Sequence, residues 1–532
     1  MHKTLSFWDI VLMVSYLVLL GGVGVFFARQ KRSLKTYLLA DQNVHWIIVG
    51  ISILAALFSG ISYLGSPAET FFYDLRYLWA LASFLIATPI TTLVFLPLFR
   101  RKSLYTAYEY LELRFDRRLR WTASSLFILR VVFYLGLAIY APALAIMDVT
   151  GWPFWVSVAV TGMGATIYTA LGGMKAVIWI DTIQFIILCG GIFLILGVAI
   201  AHSPGGLSAA WDAAAQDGKT KLVDWGLDPS IRITVWAALL GGTCLNLTQL
   251  VTDQISVQRY ITAPTLKDSQ RALWLKFWVT LPLVSLFYLT GTVLYGYYRL
   301  LPDRGPRWIN ASLVPALSQP ATGEALQNDR LLPYFVTHEL PSPLPGLLLA
   351  AILGATIAVV SAGINALATS ALMDFRRGRS TEHQQTGEVS HARWLTFMFG
   401  VIATLLAWFV IPYFGSLVES IGRITGIFGG PLLGVFFLGA LSRRATGNGT
   451  LVGAGLGGLC GLCVSFSGRW FDYPISFLWI AFTSAAVTCL VGQIASFAFP
   501  PPDDSAMEMV LFAKDGGFNA SARTGEMNSA QG

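Results

Sequence analysis

The sequence predicts an all-α polytopic membrane protein, and three observations carry that expectation. Of the 532 residues, 55% are hydrophobic and only 12% are charged, against roughly 25% charged in an average soluble domain. Mean hydropathy is +0.63. Apolar stretches of about 20 residues, the length at which a helix crosses a ~30 Å hydrocarbon core, recur along nearly the whole chain. Only short polar breaks and two longer ones, at 203–231 and 300–344, separate them. These runs are too long and too continuous for the alternating strands of a membrane barrel, so each must satisfy its own backbone as a helix.

Thirteen spans are expected, near 6–27, 46–67, 77–99, 122–147, 153–171, 177–201, 232–256, 272–299, 345–372, 393–412, 415–440, 450–466 and 473–498. The first is too long for the apolar core of a signal peptide and lacks a small-residue cleavage site, so it reads as retained. Lys and Arg gather in alternate loops: RQKRSLK after the first span, RRK through DRRLR between the third and fourth, DFRRGR after the ninth, LSRR after the eleventh. Basic loops face the cytoplasm. An odd number of spans then puts the N-terminus outside and the C-terminus inside, in a plasma or inner membrane. The net charge of +7 follows from this topology and from lipid headgroups, with no nucleic-acid partner implied. The transporter domain is expected over 1–499 with its core at about 45–441. Residues 500–532, beginning PPPDDSAME and rich in Gly and Ser, read as a disordered cytoplasmic tail.

Polar residues inside the spans carry the functional signal, because ionisable groups at membrane depth are expensive. The second span is interrupted where SGISYLGSP follows an apolar run; Ser59, Gly60, Ser62, Gly65, Ser66 and Pro67 weaken a helix and free backbone carbonyls. Such a break survives where it lines a cavity, although small residues also serve plain helix packing. Asp181 and Gln184 begin the sixth span at i and i+3 and so share a face; a carboxylate there wants a cation, or else pairs with Lys175 near the interface. The seventh span carries Asn246, Thr248, Gln249, Thr252, Asp253 and Gln254. A solvated helix end accounts for Asp253 alone but not for the run. Arg130 lies inside the fourth span, one turn from Tyr134, and either snorkels to the interface or serves a site. Cys460 and Cys463 form a CxxC in a Gly-rich helix and read as packing residues. There is no HExxH, no Gly-rich phosphate loop and no paired histidine at ligand spacing, so an enzyme is not expected and no cofactor is implied.

At this point the chain resembles a family. YLLADQNVHW (37–46), FSGISYLGSPAE (58–69), FYLGLAIYAPAL (133–144), YTALGGMKAVIWIDTIQ (168–184), TDQISVQRY (252–260), SAGINALAT (361–369) and GPLLGVFFLG (430–439) occur in the order and at the separations of the sodium/solute symporter family. Within it the match resembles the branch of iodide, monocarboxylate and multivitamin carriers, although Asp41-Gln42 replaces the usual Gly-Arg. The resemblance implies a ten-helix core, spans two to eleven, built as two inverted five-helix repeats with a broken first helix in each. It implies secondary active transport by alternating access: sodium-coupled symport of a small organic solute such as a monocarboxylate. The partners implied are that solute, sodium as coupling ion and the lipid bilayer.

Carried over position by position, the resemblance places a cation site on Ser59, Tyr134, Asp181, Gln184 and Gln254, with sodium held through Asp181, Gln184 and Gln254. It places the substrate on Phe58, Ser62, Tyr134 and Asn246. Phe58, Ser62 and Asn246 depart from the iodide carrier, which disfavours iodide. One departure matters more: the adjacent hydroxyl pair of the family's shared sodium site falls on Ala358 and Val359, which offer no side-chain oxygen. Thr356 or Ser361 would have to substitute. Arg130 is then a candidate charge substitute for sodium, and a sodium-independent or proton-coupled carrier on the same fold is the alternative. A transporter-like sensor is a third class, for which the tail is too short to hold a signalling domain.

Overall fold

The computed structural model describes residues 6–28, 44–57, 60–100, 106–172, 174–306, 308–309, 329–375, 385–411 and 416–511, with side chains omitted at some helical positions. The described residues are helical, with no strand among them. In chain order the helices are α1 (Phe7–Ala28), α2 (Trp46–Leu57), α3 (Gly60–Phe72), α4 (Leu75–Arg100), α5 (Ala107–Arg114), α6 (Arg117–Thr150), α7 (Phe154–Gly172), α8 (Met174–His202) and α9 (Gly206–Gln216). They continue with α10 (Ala237–Thr252), α11 (Gln254–Ile261), α12 (Leu266–Leu300), α13 (Leu331–Glu339), α14 (Leu344–Asp374), α15 (Gln385–Phe409), α16 (Leu417–Leu441), α17 (Gly447–Ser465) and α18 (Leu478–Ser496).

Among the described residues, nine helices are long and apolar enough to cross a membrane, or ten if the bent α2–α3 pair is one span. Shorter apolar helices at Phe7–Tyr16, Phe154–Thr166 and Ala237–Thr252 stand where three further spans are expected. The protein is thus a multi-pass membrane protein, with length and composition alone carrying nine or ten of the thirteen expected spans.

Both predicted interruptions are present. Helices α2 and α3 meet at an angle of 60°. The break is narrower than the composition suggests: the helix resumes at Gly60 and runs through Gly65, Ser66 and Pro67, all buried. The physical reason is close packing. A Cβ on Gly60 would lie 2.8 Å from Thr356 Oγ1 of α14, and one on Gly65 would lie 3.4 Å from Val418 of α16, so part of the small-residue signal reports helix contact. The second interruption falls at Asp253, whose extended backbone (φ −87°, ψ 113°) ends α10, and whose Oδ1 accepts from the Ile255 amide at 2.9 Å to start α11. That is an N-cap in mid-chain. The two breaks open spans two and seven, the first helices of the two expected halves.

Helix α14 lies at the centre, against α1, α6, α7, α8 and α15, while α12 backs α2, α3 and α9. Helices α17 and α18 pair with each other and against α16. One expectation differs at the C-terminus. Residues 504–511 do not leave the body: Val510 is buried, Leu511 donates its amide to Ala440 O at 2.9 Å, and the Tyr110 hydroxyl donates to Met509 O at 3.0 Å. The apolar run Met509-Val510-Leu511 inside a polar segment supplies the area that composition averaged away. Residues 512–532 lie outside the described residues. All five cysteines are free, Cys460 half-buried and Cys463 exposed.

The crossing of α12 over α3 tests this packing. A Cβ on Gly291 would lie 2.0 Å from Pro67 O, a contact with backbone that no rotamer relieves. We expect Gly291→Val to lower the thermal midpoint of the purified protein by several degrees or to abolish its accumulation. Gly197→Val, with nothing within 4 Å of its Cβ, should leave the midpoint unchanged in the same assay.

Candidate functional site

Between α4, α6, the α10–α11 break and α16 lies a cavity of about 180 Å³. Its polar wall comes from Tyr77, Arg130, Tyr134, Asn246, Gln249 and Asp253, and its apolar wall includes Phe84 and Ile421. Each side chain is aimed there by an identifiable local feature. Asn246 and Gln249 lie three apart and so share a face of α10; the Asn246 amide donates to Ser83 Oγ at 2.8 Å, which ties it to α4. Arg130 and Tyr134 lie four apart on α6 and present one face of that helix.

The centre of the site is an ion pair. Arg130 Nη2 lies 2.6 Å from Asp253 Oδ2, and both side chains are about 5% exposed. Asp253 is therefore not a solvated helix end, and Arg130 does not snorkel; each is buried on the other. The Arg130 Nε has no hydrogen-bond partner among the described residues. Sequence reasoning left Asp253 out of the site, although the run from Asn246 to Gln254 was its signal. Arg130 was read as a lone charge, and what supplies its partner is a helix break that periodicity does not resolve.

The expected site residues divide. Tyr134, Asn246 and Arg130 line the cavity. Ser62 sits on α3, outside the described cavity wall. Phe58 and Ser59 lie outside the described residues. Asp181 belongs to α8, but its side chain lies outside the described set. Gln184, one turn on, is 2% exposed, and neither atom of its amide has a hydrogen-bond partner among the described residues. Gln254 is fully buried, its Oε1 accepting from the Ala107 amide at 3.0 Å, which joins the start of α11 to the start of α5. Ala358 and Val359 are both buried in α14. Of the two possible substitutes, Ser361 Oγ accepts from Thr169 Oγ1 at 2.7 Å. Thr356 faces Gly60 at the restart of the broken helix, fully buried with its hydroxyl unpartnered. Buried polar atoms normally have partners; the Gln184 amide and the Thr356 hydroxyl are among the buried polar groups without one among the described residues, and each carries an oxygen that could face a cation.

Charge clusters close both ends of the bundle. At the end carrying 203–231, Arg232 Nη2 lies 2.8 Å from Glu69 of α3, Nη1 pairs with Glu419 of α16, and the guanidinium stacks 3.9 Å above the Tyr73 ring. Beside it Asp329 accepts from the Leu417 amide at 3.2 Å. At the opposite end Asp374, the last residue of α14, accepts from Thr106 Oγ1 at 2.7 Å, Arg120 Nε at 2.9 Å and Ser124 Oγ at 3.0 Å. Along α6 the order Arg120, Arg130, Tyr134 runs from that end into the cavity.

A helical bundle with two broken helices, one of which borders a polar cavity, is the architecture of a secondary transporter, and the similarities to known proteins agree. The sodium:solute symporter family matches residues 37–457, and the chain belongs to that family. It is 31% identical over 518 residues to the sodium-coupled monocarboxylate transporter 2 of Mus musculus, covering 96% of this chain and 76% of the relative. It is 32% identical to the sodium-dependent multivitamin transporter of Oryctolagus cuniculus, covering 87% of this chain and 70% of the relative. Among solved structures, a Na+-coupled sialic acid symporter in a substrate-bound outward-open state superposes with a TM-score of 0.81 at 25% identity, over 94% of this chain and 99% of that one.

Two predictions follow from this geometry. Removing one member of a buried ion pair leaves an uncompensated charge and costs about 3–5 kcal/mol. Arg130→Met and Asp253→Asn should each lower denaturation free energy by that order, and the double variant should lose less than the sum, as a double-mutant cycle in detergent would show. The second concerns Asp329. Burial, reinforced by the nearby charge of Glu69 and opposed by the Leu417 amide, pushes its carboxyl up to about 8. The folded chain therefore keeps a proton that the unfolded chain releases near about 4. The cost to folding is absent below that pH, grows as pH rises and is complete above about 8. Asp329→Asn should flatten the decline of the thermal midpoint across that window; an unchanged slope refutes the assignment.

Proposed function

We propose that the chain is a sodium-coupled symporter of a small organic solute, working by alternating access and performing no catalysis. What carries this reading is the Thr356 hydroxyl, which faces Gly60 at the first break and, like the buried Gln184 amide, has no partner among the described residues, in a family whose relatives are sodium-coupled. Sodium is bound by oxygens alone, as hard cations are. The proposed cation site is Asp181, Gln184 and the broken second span around Ser59, with Thr356 supplying the oxygen that Ala358 and Val359 lack. Gln254 and Tyr134 belong to the same proposal, Gln254 as a positioning residue that holds the α11 start against α5.

The solute occupies the cavity at Tyr134 and Asn246; Phe58 and Ser62 belong to the proposed substrate site by the resemblance alone. A cavity of about 180 Å³ suits a molecule of a few carbons. A monocarboxylate fits its chemistry, because the unpartnered Nε of Arg130 offers a charge-assisted donor. The transporter domain is 1–499, with the N-terminus outside, the C-terminus in the cytoplasm, and the basic loops against anionic lipid headgroups. A second reading has one observation in its favour: Ala358 and Val359 are apolar and buried where the resemblance calls for hydroxyls. It is a sodium-independent or proton-coupled carrier, with Asp181 taking the proton and Arg130 standing in for the cation. That Arg130 already has Asp253 as a counter-charge favours the first reading.

Thermal unfolding in sodium, against potassium or choline at equal ionic strength, separates the two without a known solute. A ligand that binds only the folded state stabilises it by RT ln(1 + [L]/Kd), about 2.7 kcal/mol at a hundredfold excess over Kd. The expected result is a sodium-specific rise that Asp181→Asn and Thr356→Val both remove. No sodium effect, with a pH-dependent shift lost in Asp181→Asn, would establish the second reading instead.

A further inference from the structure

Every other fully buried cation of the described core has a partner. Arg130 has Asp253; Arg114 donates to the carbonyls of Gly439 and Ser442; Arg259 donates to Ser52 Oγ at 3.0 Å and to Ile255 O at 3.0 Å. Lys276 differs. It lies ten residues into α12, roughly 15 Å along the axis from Leu266 at 1.5 Å per residue, and is 1% exposed. Its Nζ has no hydrogen-bond partner and no ion pair among the described residues, and rests 3.5 Å from the centroid of the Phe84 ring. Phe84 is itself part of the cavity wall. One turn along α4, on the same face, the Thr88 hydroxyl is also buried and unpartnered. Two hydrogen-bond donors without acceptors among the described residues thus lie along the face of α4 that carries Phe84, the Lys276 ammonium against its ring and the Thr88 hydroxyl one turn on. A cation–π contact offsets only part of the cost of burying an ammonium. What such a pair lacks, among the described residues, is an anion.

We propose that Lys276 and Thr88 form an anion subsite behind Phe84, which a monovalent anion reaches from the cavity when the Phe84 side chain swings aside. The shared chemistry is one negative charge with two acceptor directions, supplied by a carboxylate of the solute or by chloride. The subsite does not depend on the sodium reading, since none of its residues belongs to the proposed cation site.

The test is thermal unfolding of the purified full chain at constant sodium, titrated with propionate or chloride against a background of gluconate, which is too large for the cavity, with neutral propionamide as control. In wild type, propionate, chloride or both should raise the midpoint saturably. Lys276→Met should raise the half-saturating anion concentration by about tenfold, the weight of one charge-assisted hydrogen bond, and Lys276→Arg should recover most of it. The responses to sodium and to propionamide should be the same in all three proteins, so failure of sodium binding is read separately. Phe84→Ala leaves both donors in place and opens the wall, so it should lower the half-saturating concentration; it decides the matter should Lys276→Met not fold. Protection by propionate alone assigns the subsite to the solute carboxylate, and protection by chloride that propionate displaces assigns it to a shared anion. No protection of wild type by either anion, or equal half-saturation in wild type and Lys276→Met, or in wild type and Phe84→Ala, overturns the proposal.

Discussion

The ion pair between Arg130 and Asp253 is the constraint on which the rest of the site depends. Asp253 performs two tasks with its two oxygens. Oδ1 caps the first turn of α11 and Oδ2 meets the guanidinium of α6. The cap allows a helix to stop and restart inside a membrane protein, where an open backbone has no water to bond. The counter-charge allows an arginine to remain deep in α6. Neither is stable without the other: an uncapped break leaves backbone donors unpaired, and a lone buried guanidinium carries a large desolvation cost. One residue satisfies both demands, tying the α10–α11 break to α6 at the wall of the polar cavity.

Around that centre, close packing and charge divide the work. The half-helix α3 is held by backbone contact with α12 at Gly291, where any side chain would collide with Pro67 O, and by close packing of Gly65 on the Val418 side chain of α16. Its far end is held differently, through Glu69 and the half-buried Arg232 to Glu419. Packing contacts are bistable and short-ranged, whereas a guanidinium can exchange carboxylates at little cost in reach. The two ends of the bundle are closed by such exchangeable contacts, Arg232 at one and the Arg120–Asp374 group at the other, while the middle is closed by side chains that cannot move apart without exposing an ion pair. That distribution suits a molecule that opens at its ends in turn around a fixed centre.

The fold was legible because its signals are additive. Apolar length gives spans, small residues and Pro give the broken second helix, and the polar run from Asn246 to Gln254 marks the seventh. The site was legible only in part, for a different reason. Arg130 and Asp253 are 123 positions apart, each has an innocent local explanation, and nothing in one sequence announces that two charges will meet. Tyr134 and Asn246 are named by the resemblance, and both line the cavity. Lys276 was missed altogether. Four residues inside the expected span 272–299 and with Arg271 nearby, it reads as the basic edge of a loop, but the helix begins earlier, at Leu266, and Lys276 is buried against Phe84. The tail was misjudged by averaging: a three-residue apolar run inside a polar segment is enough to dock on Ala440 and Tyr110.

The question of sodium turns on counting oxygens near the first break. Replacing two hydroxyls by Ala358 and Val359 removes two ligands, and an alkali cation in a low-dielectric site is held only if its hydration is largely replaced. Yet the same helix offers Thr356, five residues before Ser361 and buried opposite Gly60 with no hydrogen-bond partner among the described residues. An unsatisfied buried hydroxyl costs folding about 1–3 kcal/mol, a cost that binding a cation removes. The glycine is what makes this arrangement possible: any Cβ at position 60 would lie against the Thr356 oxygen and take the space an ion needs. On the proposed sodium reading, the loss of the usual pair and the presence of Thr356 against a glycine belong together, as a change of ligands by less than one helical turn.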